Sequence, residues 1–128
     1  MIGRVRSREA WISFPIRDKN GRLHSISAIV DTGSTAWLTL PRATIDLLGL
    51  TWVREGRGLL ADNSVTTFNV FDAEVIWNRR VRRIFVDESE ATPLVGMSLL
   101  NGFELRVQVR EGGTVSIRPL PNRRGRLH

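Results

Sequence analysis

Asp31 carries the strongest chemical signal in the sequence. It follows Ala28-Ile29-Val30 directly, so a carboxylate stands at the end of an apolar run expected to be buried. An ionised group there is costly unless its surroundings stabilise it. The next residues, Thr32-Gly33-Ser34, offer the means. A tight turn can aim backbone N–H groups and a hydroxyl at the carboxylate, and glycine admits the close approach. The plainer reading of the same residues is a turn aspartate, satisfied between two strands. The remaining inventory narrows the chemistry. The absence of cysteine excludes a disulfide framework, a thiolate zinc site and a cysteine nucleophile. His24 and His128 are the only histidines, so a multi-histidine metal site within one chain is excluded too, and neither metal nor cofactor is expected. His24 and Ser25, adjacent on a strand, point to opposite faces, and no Gly-x-Ser-x-Gly elbow exists to support a serine hydrolase. Asp87-Glu88 and Glu90 read as a polar loop rather than a calcium site. Carboxylates, hydroxyls, Lys19 and arginines are left to do chemistry.

The elements that must position Asp31 are mostly strands. Trp11 to Arg17 forms a half-buried run, Asp18-Lys19-Asn20-Gly21 a turn centred on Asn-Gly, and Leu23 to Val30 the return strand. The apolar end of that strand, Ile29-Val30, predicts a central position covered on both sides. Extended structure resumes at Ala36 to Leu40. Pro41 then opens a short helix as its first residue, with Ile45, Leu47 and Leu48 apolar and Gly49 as the stop. Two strands, Gly58-Leu59-Leu60 and Val65 to Phe68, flank a hairpin tip at Ala61-Asp62-Asn63-Ser64. Val70 to Trp77 and Val81 to Val86 are strands separated by a turn at Asn78-Arg79-Arg80, and Asp87 to Thr92 is an acidic loop. Pro93 to Gly96 is a short buried segment, and Met97 to Asn101 one helical turn capped by Gly102. Phe103, Leu105, Val107 and Val109 alternate with polar residues, predicting a strand that pairs back with Thr114 to Leu120. The reading is all-β with one or two short helices: a single domain over residues 1–120 and a basic, disordered tail over 121–128.

Three stretches in this order carry a family likeness: Ala28-Ile29-Val30-Asp31-Thr32-Gly33-Ser34, then Trp37-Leu38-Thr39-Leu40-Pro41, and far downstream Pro93-Leu94-Val95-Gly96-Met97-Ser98-Leu99-Leu100. Together they resemble the retropepsin-like (clan AA) aspartic proteases, and among them the small prokaryotic single-domain type. Members of that type share a Leu-Ala-Asp-Gly-Ser-like hairpin tip, here Leu60-Ala61-Asp62-Asn63-Ser64, and a Gly-Met-Ser-Leu-Leu-like stretch before the last hairpin. The likeness spans about residues 4–120. It implies a closed, barrel-like acid protease lobe acting as a two-fold homodimer on peptide or protein substrates. On that likeness Asp31 is catalytic, Thr32, Gly33 and Ser34 support it, and Ala61 to Ser64 cover the substrate. Leu94, Val95 and Gly96 are the structural apolar-Gly element. The tip departs from the glycine-rich flaps of viral retropepsins by placing a charge and polar amides over the cleft.

The chain has one Asp-Thr-Gly. Asp62, Asp72 and Asp87 lack the following hydroxyl-Gly pair. Peptide hydrolysis by carboxylates needs two of them sharing a proton, so a second copy of the chain must supply the other. Trp37, Trp52 and Phe68 are either pocket walls or ordinary core. The alternative function is a non-catalytic peptide-binding or dimerisation module of the same fold. The formal charge is +6, and Lys19 is the single lysine among 19 basic residues. Arg79-Arg80-Val81-Arg82-Arg83 is the densest basic cluster, but no base-stacking motif, helix-turn-helix or zinc module accompanies it, so nucleic acid is not an expected partner. Neither a leader segment nor a membrane span is expected, and the cytoplasm is the expected compartment.

Overall fold

Local pattern and long-range pairing cooperate to give ten strands and two short helices in the computed structural model, which describes residues 1–121. The tail expected at 121–128 therefore falls, from residue 122 on, outside the described residues. In chain order the elements are β1 (Ile2–Arg6), β2 (Glu9–Arg17), β3 (Leu23–Val30), β4 (Leu38–Leu40), α1 (Arg42–Leu48) and β5 (Thr51–Leu59). They continue with β6 (Val65–Trp77), β7 (Arg80–Glu88), β8 (Leu94–Val95), α2 (Met97–Leu100), β9 (Phe103–Val107) and β10 (Thr114–Pro119). The strands lie in the order β5-β6-β7-β4-β8-β3-β2-β1-β10-β9. One further registered pair, Ile16 opposite Val75, joins β2 to β6 and closes six of them into a ring. No helix among the described residues is long and apolar enough to cross a membrane.

Period-two alternation fills the ring. Ile12, Phe14 and Ile16 of β2 and Ala73, Val75 and Trp77 of β6 point inward and are buried. Trp77 sits edge-on to Phe14 at 5.4 Å and to Phe103 at 6.0 Å, favoured geometries for aromatic quadrupoles. The outer face of the β2–β3 pair is polar, with the Ser13 and Ser27 hydroxyls 2.8 Å apart across the strands. The end of β3 is central in the sheet, yet Ile29 and Val30 are only half-buried, because their outer face is covered in part.

The β2–β3 turn is the one the Asn-Gly signal predicts. Asp18 Oδ1 accepts the N–H groups of Asn20 (2.8 Å) and Arg22 (2.9 Å), and its Oδ2 lies 2.7 Å from His24 Nε2. The bond to His24, helped by the two backbone donors, holds the Asp18 carboxyl below the usual carboxylate range. A carboxyl depressed by folding contributes stability that is full above its ordinary value and is lost as pH falls through the depressed one. His24→Ala is therefore expected to raise the pH at which Asp18 titrates and to lower stability near neutral pH, with less left to lose in acid. An NMR titration of the Asp18 carboxyl carbon checks this, and an unchanged midpoint would refute the role of His24.

Several boundaries differ from those the sequence predicts, each for a tertiary reason. β1 pairs with β10 and, through a two-residue turn at Ser7-Arg8, with β2; both turn residues have positive φ (51° and 62°). Neither residue is one that favours that conformation, so no turn signal announces it. β6 runs unbroken across Asn69, which stays in register opposite Glu55 of β5. Asp87 and Glu88 belong to β7 rather than to a loop, because β7 pairs in parallel with Thr39 and Leu40 of β4. β9 stops at Val107, where the Gln108 N–H turns to the Thr114 carbonyl (2.9 Å), and leaves Val109 exposed. Pro41 caps α1 in extended conformation (ψ 153°) instead of beginning it.

Candidate active site

Asp31 is placed by three strands. The two-residue β8 is inserted between β3 and β4, parallel to the first (Ile29 opposite Leu94, Val30 opposite Val95) and antiparallel to the second. The chain from Asp31 to Trp37 must therefore loop over the end of β8 before it can enter β4. That loop is fastened at its start by the Asp31 N–H on the Val95 carbonyl (2.8 Å) and at its middle by the Met97 N–H on the Ser34 carbonyl (2.7 Å). Near its end the Gly96 N–H donates to Trp37 (3.1 Å). The Ser98 hydroxyl donates to the Thr35 carbonyl (2.7 Å). Gly96 is required here, since a Cβ would overlap the Ala36 carbonyl oxygen.

The turn around Asp31 is local. Its Oδ1 accepts the Gly33 N–H at 2.9 Å, and its carbonyl accepts the Ser34 N–H at 3.2 Å. Half-buried, the carboxylate is anchored through this oxygen, and its other oxygen has no hydrogen-bond partner among the described residues. The Ser34 hydroxyl accepts the Ala36 N–H (3.2 Å), so within the chain it shapes the loop. Thr32 is exposed and faces outward beside Met97 and Leu105.

The hairpin of β5 and β6 reaches beyond the core, with Leu59, Leu60 and Val65 exposed. Its tip is ordered from within. The Leu60 N–H donates to Ser64 (2.8 Å), the Asn63 N–H to Leu60 (2.9 Å), and Asn63 takes a positive φ of 68°. Asp62 Oδ1 accepts both the backbone N–H (2.9 Å) and the hydroxyl (2.5 Å) of Ser64, and the hydroxyl bond foremost holds its carboxyl below the usual range. The charge at the tip is thus engaged in building the turn.

Between the hairpin and the Asp31 loop lies an open cavity of about 640 Å³, bordered on one side by Ser34 to Trp37 and on the other by Arg57, Gly58 and Phe68. Of the three aromatic candidates, Trp37 and Phe68 line it. Trp52 is neither there nor in the core: it is exposed, and its Nε1–H donates to Asn69 (3.1 Å). The structure brings Asp31, Thr32, Gly33, Ser34, Leu94, Val95 and Gly96 together, and Ala61 to Ser64 form the separate hairpin tip. Sequence reasoning missed Ser98, which clasps the loop, and Thr39 and Asp87, which line the cavity. Their partners lie far along the chain, so no local pattern assigns them these contacts, although Ser98 stands within the Gly-Met-Ser-Leu-Leu stretch. Among the described residues no cluster of three or more histidines or carboxylates is arranged to hold a metal ion.

The whole backbone arrangement has a solved counterpart. A retropepsin-like aspartic protease from Rickettsia conorii superposes with a TM-score of 0.58, covering 94% of this chain and 90% of that one at 20% sequence identity. The fold is retropepsin-like. No family model matches the sequence, and no curated protein matches it. Within the retropepsin-like fold the loop that follows Asp31, from Ser34 to Trp37, and the β5–β6 hairpin border a common opening.

Proposed function

We propose that the protein is an aspartic endopeptidase whose catalytic pair is Asp31 from two copies of the chain. The observation that carries this reading is the Asp31 turn: a half-buried carboxylate with one oxygen fixed by a backbone N–H, opening a loop whose Ser34–Trp37 stretch borders the cavity beneath the β5–β6 hairpin. One carboxylate cannot both activate water and polarise a carbonyl. With two in contact, like-charge repulsion keeps one proton between them. The ionised Asp31 takes a proton from water, which attacks the scissile carbonyl carbon. The protonated Asp31 of the other copy gives its proton to the carbonyl oxygen. Collapse of the tetrahedral intermediate expels the amine, which is protonated by the carboxyl that held the water's proton, while the other Asp31 takes back a proton from a hydroxyl of the intermediate. Gly33 holds the acceptor oxygen in place, Thr32 braces the pair across the two-fold axis, and extended substrate lies under Ala61 to Ser64 with its backbone hydrogen-bonded.

One face of the chain supports the pairing with a second copy. The terminal segments pair with each other inside the chain: the amino-terminal ammonium donates to the Ile117 carbonyl (2.8 Å) and β1 lies against β10. β9, hydrogen-bonded to β10 alone among the described residues, keeps one free edge. It borders an apolar groove of about 410 Å³ that runs from Thr32 past Met97 and Leu100 to Leu105. A C2 contact on this face places the two Thr32–Asp31 turns side by side. Met97, 47% exposed in the single chain, would be covered by it. Met97→Glu is accordingly expected to convert the dimer to a monomer, measured by light scattering, and to remove peptide hydrolysis with it. A Met97→Glu dimer of unchanged affinity would exclude this seam. A wild-type dimer that leaves a broad peptide library intact from acid to neutral pH would refute the peptidase reading.

A further inference from the structure

The cavity under the hairpin holds a carboxylate that the chemistry at Asp31 does not use. β4 and β7 run parallel with Thr39 opposite Asp87, so Thr39 of β4, Trp37 just before it, and Phe85 and Asp87 of β7 share the cavity wall. Asp87 is half-buried, and its carboxylate makes no hydrogen bond or ion pair among the described residues. Its neighbour in register, the Thr39 hydroxyl, is buried and likewise without a partner. The contrast with the next residue is sharp: Glu88 accepts hydrogen bonds from Arg42 (3.0 Å) and Asn69 (3.2 Å). Buried polar groups are nearly always paired, so two adjacent unpaired acceptors on a cavity wall mark a place where a ligand donor gains most.

The aromatic rings beside them show which donor suits. The Arg54 guanidinium lies over Phe85 at 5.4 Å, and that of Arg82 over Trp37 at 5.3 Å. Both rings of this wall already take a cation on their faces. Arg54 is loosely held there: it is exposed, and its Nη1–H reaches the Glu55 carbonyl only at 3.5 Å. It stands where a ligand cation would stand, and it is free to swing out along the exposed side of β5.

We propose, building on the peptidase reading above, that Asp87 is a specificity-determining residue. Together with Thr39 it selects an arginine or lysine side chain of the extended substrate, whose cation lies against Phe85 and displaces Arg54. The chain's overall positive charge does not decide against this. Charges farther off than about 8 Å are screened in physiological salt, whereas contact with a half-buried carboxylate is not. The groups that face Asp87 are Arg54 and Arg57 from β5, Thr39 from β4, Val70 in register from β6, and Glu88 beside it on β7. Burial pushes the Asp87 carboxyl above the usual range, with Arg54 acting against it. The preference for a basic side chain therefore strengthens from acid toward neutral pH, as Asp87 ionises.

The test uses the wild-type dimer and a peptide library varied at each position around the cleaved bond, alongside the affinity of Asp31→Asn protein for the same peptides. One position is expected to favour arginine or lysine over norleucine by about tenfold in kcat/KM and in binding, the scale of a charge-assisted hydrogen bond. Asp87→Asn should bring that ratio close to one, and Arg54→Ala should raise it. A ratio near one in wild-type protein, or one that Asp87→Asn leaves unchanged, would overturn the proposal. If Asp87→Asn does not fold, an unchanged or lower ratio in Arg54→Ala overturns it instead. Binding that shows the preference without any cleavage would keep the role of Asp87 and refute the peptidase reading alone.

Discussion

Asp31→Asn is expected to abolish peptide hydrolysis, by at least about 10³-fold in kcat, while the variant folds and pairs as the wild type does. The side-chain amide keeps an oxygen in place of the one that accepts the Gly33 N–H at 2.9 Å, so the turn survives. What it loses is the capacity to take a proton from water or to share one with its partner. Because the site is half-buried, removing the charge costs the fold little. On the proposed pairing of two chains this variant has a second use. If each active centre needs Asp31 from both chains, an equal mixture of wild-type and variant subunits contains only about a quarter fully active dimers after exchange. Subunits acting alone would retain half of the activity. Initial rates over a series of mixing ratios separate the two cases, since a shared site falls with the square of the wild-type fraction. A linear fall would mean that one chain suffices, which the single Asp-Thr-Gly cannot provide. The wild-type rate should also fall on both sides of a pH optimum, because only the singly protonated pair works.

How much of this was legible in the sequence follows from the range of the contacts. The Asp31 turn could be read because the groups that shape it lie within three residues: the Gly33 N–H on its carboxylate and the Ser34 N–H on its carbonyl. The β2–β3 hairpin could be read because Asn-Gly acts locally and Ile12, Phe14 and Ile16 alternate. β1 could not, since Ser7 and Arg8 adopt positive φ without being residue types that favour it. Asp87 read as loop because its composition is polar, and only its pairing with Thr39, far back in the chain, makes it a strand residue and turns it toward the cavity. Ser98 and Thr35 are 63 residues apart. The site's local geometry was therefore visible in the residues, while its walls and clasps depend on a topology that no short window contains.

Gly96→Ala is the substitution in which that topology should register most strongly. The motif reads as a mere apolar-apolar-Gly, yet Gly96 sits where β8 passes beneath the Asp31–Trp37 loop. A Cβ there would overlap the Ala36 carbonyl oxygen and stand 3.0 Å from the Ala36 nitrogen. Neither side can yield easily. The Ala36 carbonyl accepts the Ser98 N–H (3.3 Å), and the Gly96 N–H is committed to Trp37 (3.1 Å). Relief requires moving β8 away from β4 or lifting the loop, and either breaks several of these bonds at once. A loss of about 3 kcal/mol follows from overpacking against rigid backbone, enough to lower Tm by about 10 °C in a domain of this size. Gly58→Ala is the control, because a Cβ there meets only side-chain atoms at 3.5 Å or beyond. The functional loss should exceed the loss of stability. The loop that would move is the one that aims Asp31, and a displacement of about 1 Å in a reacting group costs roughly 10²-fold in rate. Urea unfolding and peptide hydrolysis measured on the same preparation, well below the variant's Tm, give both numbers. A Gly96→Ala protein as stable and as active as wild type would show that the loop is not clamped between β8 and α2, and that Asp31 is positioned by its own turn alone.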